Sequence, residues 1–426
     1  MYPTMRLSTA ALCLAVMPFA TAFFQAGPGW AGEPKRPNVL LICVDDLRNC
    51  LEPDGDKIAE TPNLDRLASE GRYFRRHFVQ VAACGPSRGS MLTGRRIIHS
   101  WDVWNADRKL AAEPKNPVSL AHHFRRHGYA DYYLAQSGIE ELNRLARQPR
   151  PFLLAVGFYK PHLPHNAPKK YWDMFPAEKV GMPDNFYPPE NVDPSICIHK
   201  SPELTRHYDW PSGVGNISRE EAIRQRRAYY AAVAYVDGQI GRLLDALRGL
   251  DCARETIVVL WSDHGWQLGE HHMFSKHSNY EVATNSPLVI RVPGMVAPGA
   301  AADGLVEAVD LFPTLTDLCG LPTPEGLAGQ SLRAMVEDPK APGKEAAYST
   351  HPGGRGFAGH ALRTNEYRLV RWINQQGEVG LVELYDRQTD PGENVNIAQE
   401  HPDVIEELTR KLAAKMDQVV RSSHAE

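Results

Sequence analysis

Four continuous apolar runs constrain this chain more than any other feature. Asn38-Val39-Leu40-Leu41-Ile42-Cys43-Val44 carries no charge and shows neither helical spacing nor strict alternation. A strand that is apolar at successive positions buries both faces, as happens in parallel sheets covered by helices. Comparable runs recur at Phe152 to Val156, Thr256 to Trp261 and Pro287 to Val292. Helical patterns lie between them, over Asn63 to Phe74, Val118 to His127 and Arg219 to Leu250. The last opens with Ser218 and Glu221 at capping-box spacing, and Ile223, Tyr230, Val233, Val236, Ile240, Leu243 and Leu247 follow at three-to-four spacing. Alternating strands and helices predict an α/β sandwich around a large, mostly parallel sheet.

At 426 residues the chain has room for two or three lobes. Its net charge of −4 lacks the basic footprint of a nucleic-acid binder or of an anionic membrane surface. Residues 1–31 read as an export signal: Arg6 precedes a mostly apolar stretch from Ala10 to Phe24, with small-residue cleavage sites ending at Ala22 or Ala31. The run is short of a membrane span and is broken by Pro18 and Thr21, so no stable insertion is expected after cleavage. A periplasmic or secreted location follows. Of the seven cysteines Cys13 leaves with the signal; the other six are scattered and could form up to three bridges. A catalytic α/β region is expected over residues 36–340. After a proline-punctuated stretch, residues 341–426 are expected to form a smaller lobe. Ala361 to Trp372 and Gly380 to Tyr385 read as antiparallel strands there, and Pro402 to Val419 as a closing helix. Pro161 to Pro211 reads as a long ordered loop over the functional face.

Three clusters carry chemistry. Asp45-Asp46 follows the first strand, and adjacent carboxylates at a strand end suit a hard divalent cation, or else cap a loop. Asp263-His264-Gly265 follows the strand ending at Trp261 and could complete the same site, since ligands of open α/β sheets gather at the carboxyl ends of strands. The third is Cys84-Gly85-Pro86-Ser87-Arg88-Gly89-Ser90-Met91-Leu92-Thr93-Gly94-Arg95. Pro86 fits a first helical turn, just behind Cys84, and a helix amino end offers unpaired N–H groups to an anion. Arg88 adds a fixed charge one turn in.

This third string resembles the CxPSR and LTG signature of type I sulfatases, in which the cysteine is oxidised to formylglycine. The similarity runs from Arg36 to about Met416 and is closest to the iduronate-2-sulfatase branch. It is carried by Pro37 to Leu40, Val44 to Arg48, Ala155 to His162, Asp263 to His271, Val309 to Thr314 and Glu383 to Asp386. The resemblance implies an alkaline-phosphatase-like fold and one calcium ion, held by Asp45, Asp46, Asp263, His264 and the modified Cys84. It implies hydrolysis of a sulfated carbohydrate, one hydroxyl of the hydrated aldehyde attacking sulfur and the other expelling sulfate. Arg88 would hold the formylglycine oxygens and the sulfate, while Lys276 and His162 would neutralise sulfate and assist the leaving oxygen. Trp101, Trp104 and Asn105 follow the signature helix and either line the sugar pocket, with Trp104 as a substrate contact, or pack the fold. The implied maturation partner is a formylglycine-generating or anaerobic sulfatase-maturing enzyme.

One family element is missing. After Gly128-Tyr129 the family runs a strand into GKxxH, whose lysine grips sulfate and whose histidine contacts formylglycine. No Lys-x-x-His occurs between Gly128 and Phe152, and Asp131 to Gln136 resembles the helix that precedes Phe152, so one strand and two site residues are expected to be absent. The expectation is an impaired or inactive sulfatase. Two other readings stand beside it, a sulfated-glycan binder without turnover and a metal-dependent phosphatase or phosphodiesterase of the same superfold. His271 and His272 could support the site from outside, and His122, His123 and His127 read as helix-surface residues.

Overall fold

The computed structural model describes residues 36–96, 119–134, 137–208 and 217–424. The expected export signal and Trp101, Trp104 and Asn105 lie outside these described residues. The large sheet contains β1 (Asn38–Val44), β2 (Arg72–Tyr73), β3 (Ala130–Leu134), β4 (Phe152–Phe158), β5 (Thr256–Ser262) and β6 (Leu288–Arg291), in the order β2-β6-β5-β1-β4-β3. The neighbours β5, β1, β4 and β3 are parallel, while β6 and β2 close one edge antiparallel.

The apolar runs explain themselves in this arrangement. Leu40, Ile42 and Val44 of β1 face one layer, packed under α1 (Pro62–Glu70), α4 (Gly138–Leu145) and the long α5 (Arg219–Arg248). Val39 and Leu41 face the other, under α2 (Cys84–Thr93), α3 (Leu120–Arg126) and α6 (Leu311–Leu318). Side chains alternate across a strand, so burying both faces needs apolar residues at every position. At the head of α5 the Ser218 hydroxyl accepts from the Glu221 N–H at 3.1 Å, as a capping residue should.

Several expectations change. Ala130 to Leu134 is a strand, paired residue by residue with Phe152 to Val156, so the sheet position expected to be empty is filled. The exposed edge of β4 accepts any extended segment, and a Tyr-Tyr pair favours extended backbone over helix. Ala361 to Trp372 divides into two strands: the small antiparallel sheet is β7 (Ala347–Pro352), β8 (Phe357–Arg363), β9 (Tyr367–Asn374) and β10 (Val379–Asp386), in sequence order. Its outer side carries α7 (Pro402–His424), which seats Leu408 and Leu412 against Leu362, Leu369 and Leu384. The described part of Pro161 to Pro211 is broken into short helices, among them Pro194–Cys197 and Pro202–His207. His123 is buried rather than on the surface, because it shares the inner face of α3 with Leu120 and Phe124, its ring 5.8 Å from Phe312. All six described cysteines are free thiols.

Candidate active site

The parallel strands β1, β4 and β5 end level with one another, Val44 paired with both Phe158 and Ser262. Whatever follows them shares one edge. The Asp45 N–H donates to the Phe158 carbonyl at 3.0 Å, the Asp46 N–H to Asp263 Oδ1 at 3.1 Å and the Leu47 N–H to Ser262 Oγ at 3.1 Å. Asp46 adopts a left-handed φ of 66°, and Tyr229 of α5 pins the turn by donating its hydroxyl to the Asp46 carbonyl at 2.7 Å. Gly265 has to be glycine: a Cβ there would stand 2.0 Å from the Val282 carbonyl oxygen.

Cys84 is itself the first residue of α2, not the residue ahead of it, because extended Ala83 caps the helix and its carbonyl accepts the Ser87 N–H at 3.0 Å. Its sulfur lies 3.2 Å from Lys276 Nζ, 3.4 Å from His264 Nε2 and 4.0 Å from Asp46 Oδ1. One turn on, Arg88 bridges Asp263 Oδ2 at 2.8 Å and Asp45 Oδ1 at 2.7 Å. Lys276 follows the short antiparallel ribbon of Gln267–Leu268 and Phe274–Ser275, and its ammonium also reaches Asp46 Oδ1 at 2.8 Å. His162 stands at the rim with Nε2 3.9 Å from Asp46 Oδ2. Thus Asp45, Asp46, Cys84, Arg88, His162, Asp263, His264 and Lys276 converge as the sequence suggests; Trp104 lies outside the described residues.

Electrostatics here ask for a cation. Burial first, then crowding by Asp263 for Asp45, lifts that carboxyl above its ordinary range; Asp46 is lifted well above it by burial, against the pull of Lys276. Burial and the neighbouring Asp263 and Asp46 push the Cys84 thiol up as well, so it is no thiolate. Burial would strip the Lys276 proton, but the carboxylates of Asp46 and Glu203 outweigh it and hold the ammonium charged. Burial and Lys276 keep His264 neutral. Its Nδ1 faces the Gly265 carbonyl at 2.9 Å, which makes Nδ1 the donor and leaves the Nε2 lone pair aimed into the cluster.

Two overlapping sets of donors lie close enough to share one ion: Asp45, Asp46, Cys84 and His162, and Asp45, Cys84, Asp263 and His264. Asp46 Oδ2 is buried and accepts no hydrogen bond. The carboxylate oxygens suit a hard divalent cation, with the neutral imidazole an added nitrogen donor of borderline character.

Three residues at the edge escape sequence reasoning. Glu203 pairs through Oε1 with Lys276 and with His277, and Tyr159 stacks at a tilt on His162 with ring centroids 4.8 Å apart. Tyr159 directly follows β4, the one signal that could have marked it; Glu203 and His277 carry none. A cavity of about 360 Å³ opens beside Tyr159, lined also by Asp45, Arg88, Met91, Phe158 and Trp261 among others. His271 and His272 lie away from the cluster, their rings against Tyr280 and Phe186 at 4.5 Å each.

Sheet order and layers define an alkaline-phosphatase-like hydrolase fold. It is shared with a protein solved in complex with its substrate D-glucosamine-2-N,6-O-disulfate (TM-score 0.74, 22% identity, covering 92% of this chain and all of that one). It is shared equally with the phosphonate monoester hydrolase of Agrobacterium radiobacter (TM-score 0.74, 22% identity, 90% of this chain and 96% of that one). The chain belongs to the sulfatase family, whose model matches residues 37–144 and again 130–321; a second model, N-sulphoglucosamine sulphohydrolase, C-terminal, matches residues 269–422. Human iduronate 2-sulfatase is 29% identical over 502 aligned positions, covering 84% of this chain and 90% of that protein. That alignment is longer than the 426-residue chain, so the human protein has segments without a counterpart here.

Proposed function

We propose that this chain is a sulfuric ester hydrolase acting on a sulfated carbohydrate, exported to the periplasm or beyond, with Cys84 converted to formylglycine and calcium held by Asp45, Asp46, Asp263, His264 and residue 84. The observation that carries it is the seat of Cys84: the amino end of a helix, within 4.0 Å of Asp46, His264 and Lys276 and one turn from Arg88. Formylglycine would supply an oxygen nucleophile where the protonated thiol supplies none, and calcium a charge to balance it. Arg88 and Lys276 flank residue 84 and present two fixed cations to a sulfate ester. His162 donates through Nδ1 to the Leu163 carbonyl at 2.8 Å, so Nε2 is the nitrogen turned toward Asp46 and available to the leaving oxygen. The cavity beside Tyr159 is of a size to receive the leaving group.

The two family-model matches share residues 130–144, so one stretch of this chain answers to two successive parts of the family pattern. This supports a shortened segment, with β3 present but Lys-x-x-His absent. Loss of such acid–base groups lowers turnover by about 10²–10⁴-fold, so we propose slow hydrolysis with calcium and sulfate binding retained. The same absence favours a second reading, a sulfated-glycan binder without turnover. Mass spectrometry of the Cys84 peptide from the native host separates them: an aldehyde supports the enzyme, a thiol the binder. Parallel assays with sulfate, phosphate and phosphonate esters then test the reaction class; preference for a phosphorus ester would overturn the sulfatase assignment.

A further inference from the structure

Glu203 puts a negative charge where an anion-binding site has least use for it. Its Oε1 lies 3.1 Å from Lys276 Nζ and 3.3 Å from His277 Nε2, and its Oε2 is buried with no hydrogen bond. An ammonium has three protons. Here the three acceptors around Lys276 are Asp46 Oδ1 at 2.8 Å, Cys84 Sγ at 3.2 Å and Glu203. Asp46 and residue 84 belong to the group assigned above to the cation, which competes with the ammonium for their negative charge. Glu203 does not. With calcium bound it is, among the described residues, the acceptor of Lys276 that lies outside the cation's donor set.

The backbone around it is built for that contact. The Ser201 hydroxyl accepts the Phe274 N–H at 3.0 Å, the Ser201 N–H donates to His199 Nδ1 at 3.0 Å, and His199 Nε2 meets Gln267 Oε1 at 3.3 Å. The segment carrying Glu203 is thereby tied to the ribbon carrying Lys276. Three non-glycine residues with left-handed φ bracket the pair: Ser201 at 48°, Ser275 at 87° and His277 at 34°. Such strain persists only where the surroundings hold it.

We propose that Glu203 is the positioning residue for Lys276 and that its charge disfavours retention of inorganic sulfate. This rests on the reading of the site as a sulfate-ester site. A sulfate monoester carries one negative charge and the released sulfate two, so a carboxylate behind Lys276 repels product more than substrate. Glu203 thus trades some anion affinity for product release.

The test is calorimetric titration of sodium sulfate into the calcium-loaded full chain at fixed ionic strength. Wild type, Glu203→Gln and Glu203→Ala are compared, with calcium affinity and melting temperature measured on the same samples. Glu203→Gln keeps an acceptor oxygen and loses the charge, so it should bind sulfate about tenfold more tightly than wild type. Glu203→Ala loses the anchor too and should bind at least about threefold more weakly than Glu203→Gln, while calcium affinity falls alike in both because each removes the same charge. A purely structural role would shift both variants together. Glu203→Gln binding no more tightly than wild type overturns the proposal, and decides it alone should the alanine variant not fold; Ala matching Gln overturns the anchoring role. Wild type that binds neither calcium nor sulfate overturns the functional reading itself, a result distinct from either.

Discussion

At the carboxyl edge of the large sheet four carboxylates, Asp45, Asp46, Asp263 and Glu203, share two fixed cations, Arg88 and Lys276. Beside the small sheet the balance is reversed: Glu281 and Glu393 face Arg363, Arg368 and Arg387. Both clusters are largely buried, yet their carboxyls respond in opposite ways. Burial lifts Asp46 well above its ordinary range. Burial acts on Glu281 too, but Arg387, Arg368 and Arg363 outweigh it and hold the carboxyl far below its ordinary range. The second cluster is closed on itself, with the Glu281 N–H donating to Glu393 Oε2 at 2.8 Å and Arg368 Nη1 to the Asn279 carbonyl at 3.0 Å. The first, counted over these fixed charges, is two positive charges short. A buried network with cations in excess holds its carboxylates ionised and acts as a strut; one short of two positive charges suits the divalent cation we propose.

The comparison breaks most sharply at Cys84. Cys84→Ala should cut sulfate-ester hydrolysis by at least about 10³-fold while shifting the melting temperature by no more than about 2 °C. Sulfate release and calorimetry on the same preparation check both halves, and residual hydrolysis near wild type would remove residue 84 from the reaction. Glu281→Ala should do the reverse. It leaves three guanidiniums facing Glu393 alone, at a cost of about 3–5 kcal/mol in urea unfolding, with calcium affinity unchanged. If Glu281→Ala weakened calcium binding as much as folding, the two clusters would not be separate devices.

Calcium itself should matter next. At a concentration about a hundredfold above its dissociation constant it should stabilise the wild-type fold by about 2.7 kcal/mol, and chelation should remove that increment. Asp46→Asn should abolish the calcium increment while leaving the cation-free protein no less stable, because it relieves a buried like charge. A cation-free Asp46→Asn protein that unfolds more readily would show that Asp46 is structural.

Much of the site was legible because strand ends are legible. The apolar run of β1 stops at Val44 and that of β5 just before Ser262, and parallel strands bring their carboxyl ends together, so Asp45-Asp46 and Asp263-His264 had to meet. Cys84 and Arg88 were marked by their string and placed by the helix it opens. What stayed hidden depends on tertiary folding alone. Glu203 sits in a short helix of a long connection, with no periodicity to point it at Lys276. His123 shares its polar character with His122, and only the apolar neighbours Leu120 and Phe124 show which of the two faces inward. Residues 130–134 show no apolar alternation, and the Tyr-Tyr pair is a local preference for extended backbone too weak by itself to mark a strand; pairing along β4 settles it.

The smallest expected effect is a pH response confined to the second cluster. The folded Glu281 carboxyl is held below its ordinary value of 4.5 by the arginines, so the folded state holds this proton less readily than the unfolded chain. Its stabilising contribution is complete above about pH 4.5 and fades as pH falls toward the depressed folded value, by about 1.4 kcal/mol for each pKa unit of difference. Melting temperatures from pH 3 to pH 7 should therefore fall on the acid side for wild type and fall less steeply for Glu281→Gln, which cannot titrate there. Arg363, Arg368 and Arg387 keep their charge throughout this range, and Glu393, the other carboxylate facing them, remains in both proteins. The difference between the two curves therefore isolates Glu281. Parallel curves would mean that the guanidiniums stabilise the small sheet through packing, and the contrast between a cation-rich network and a cation-deficient one would then rest on the calcium experiment alone.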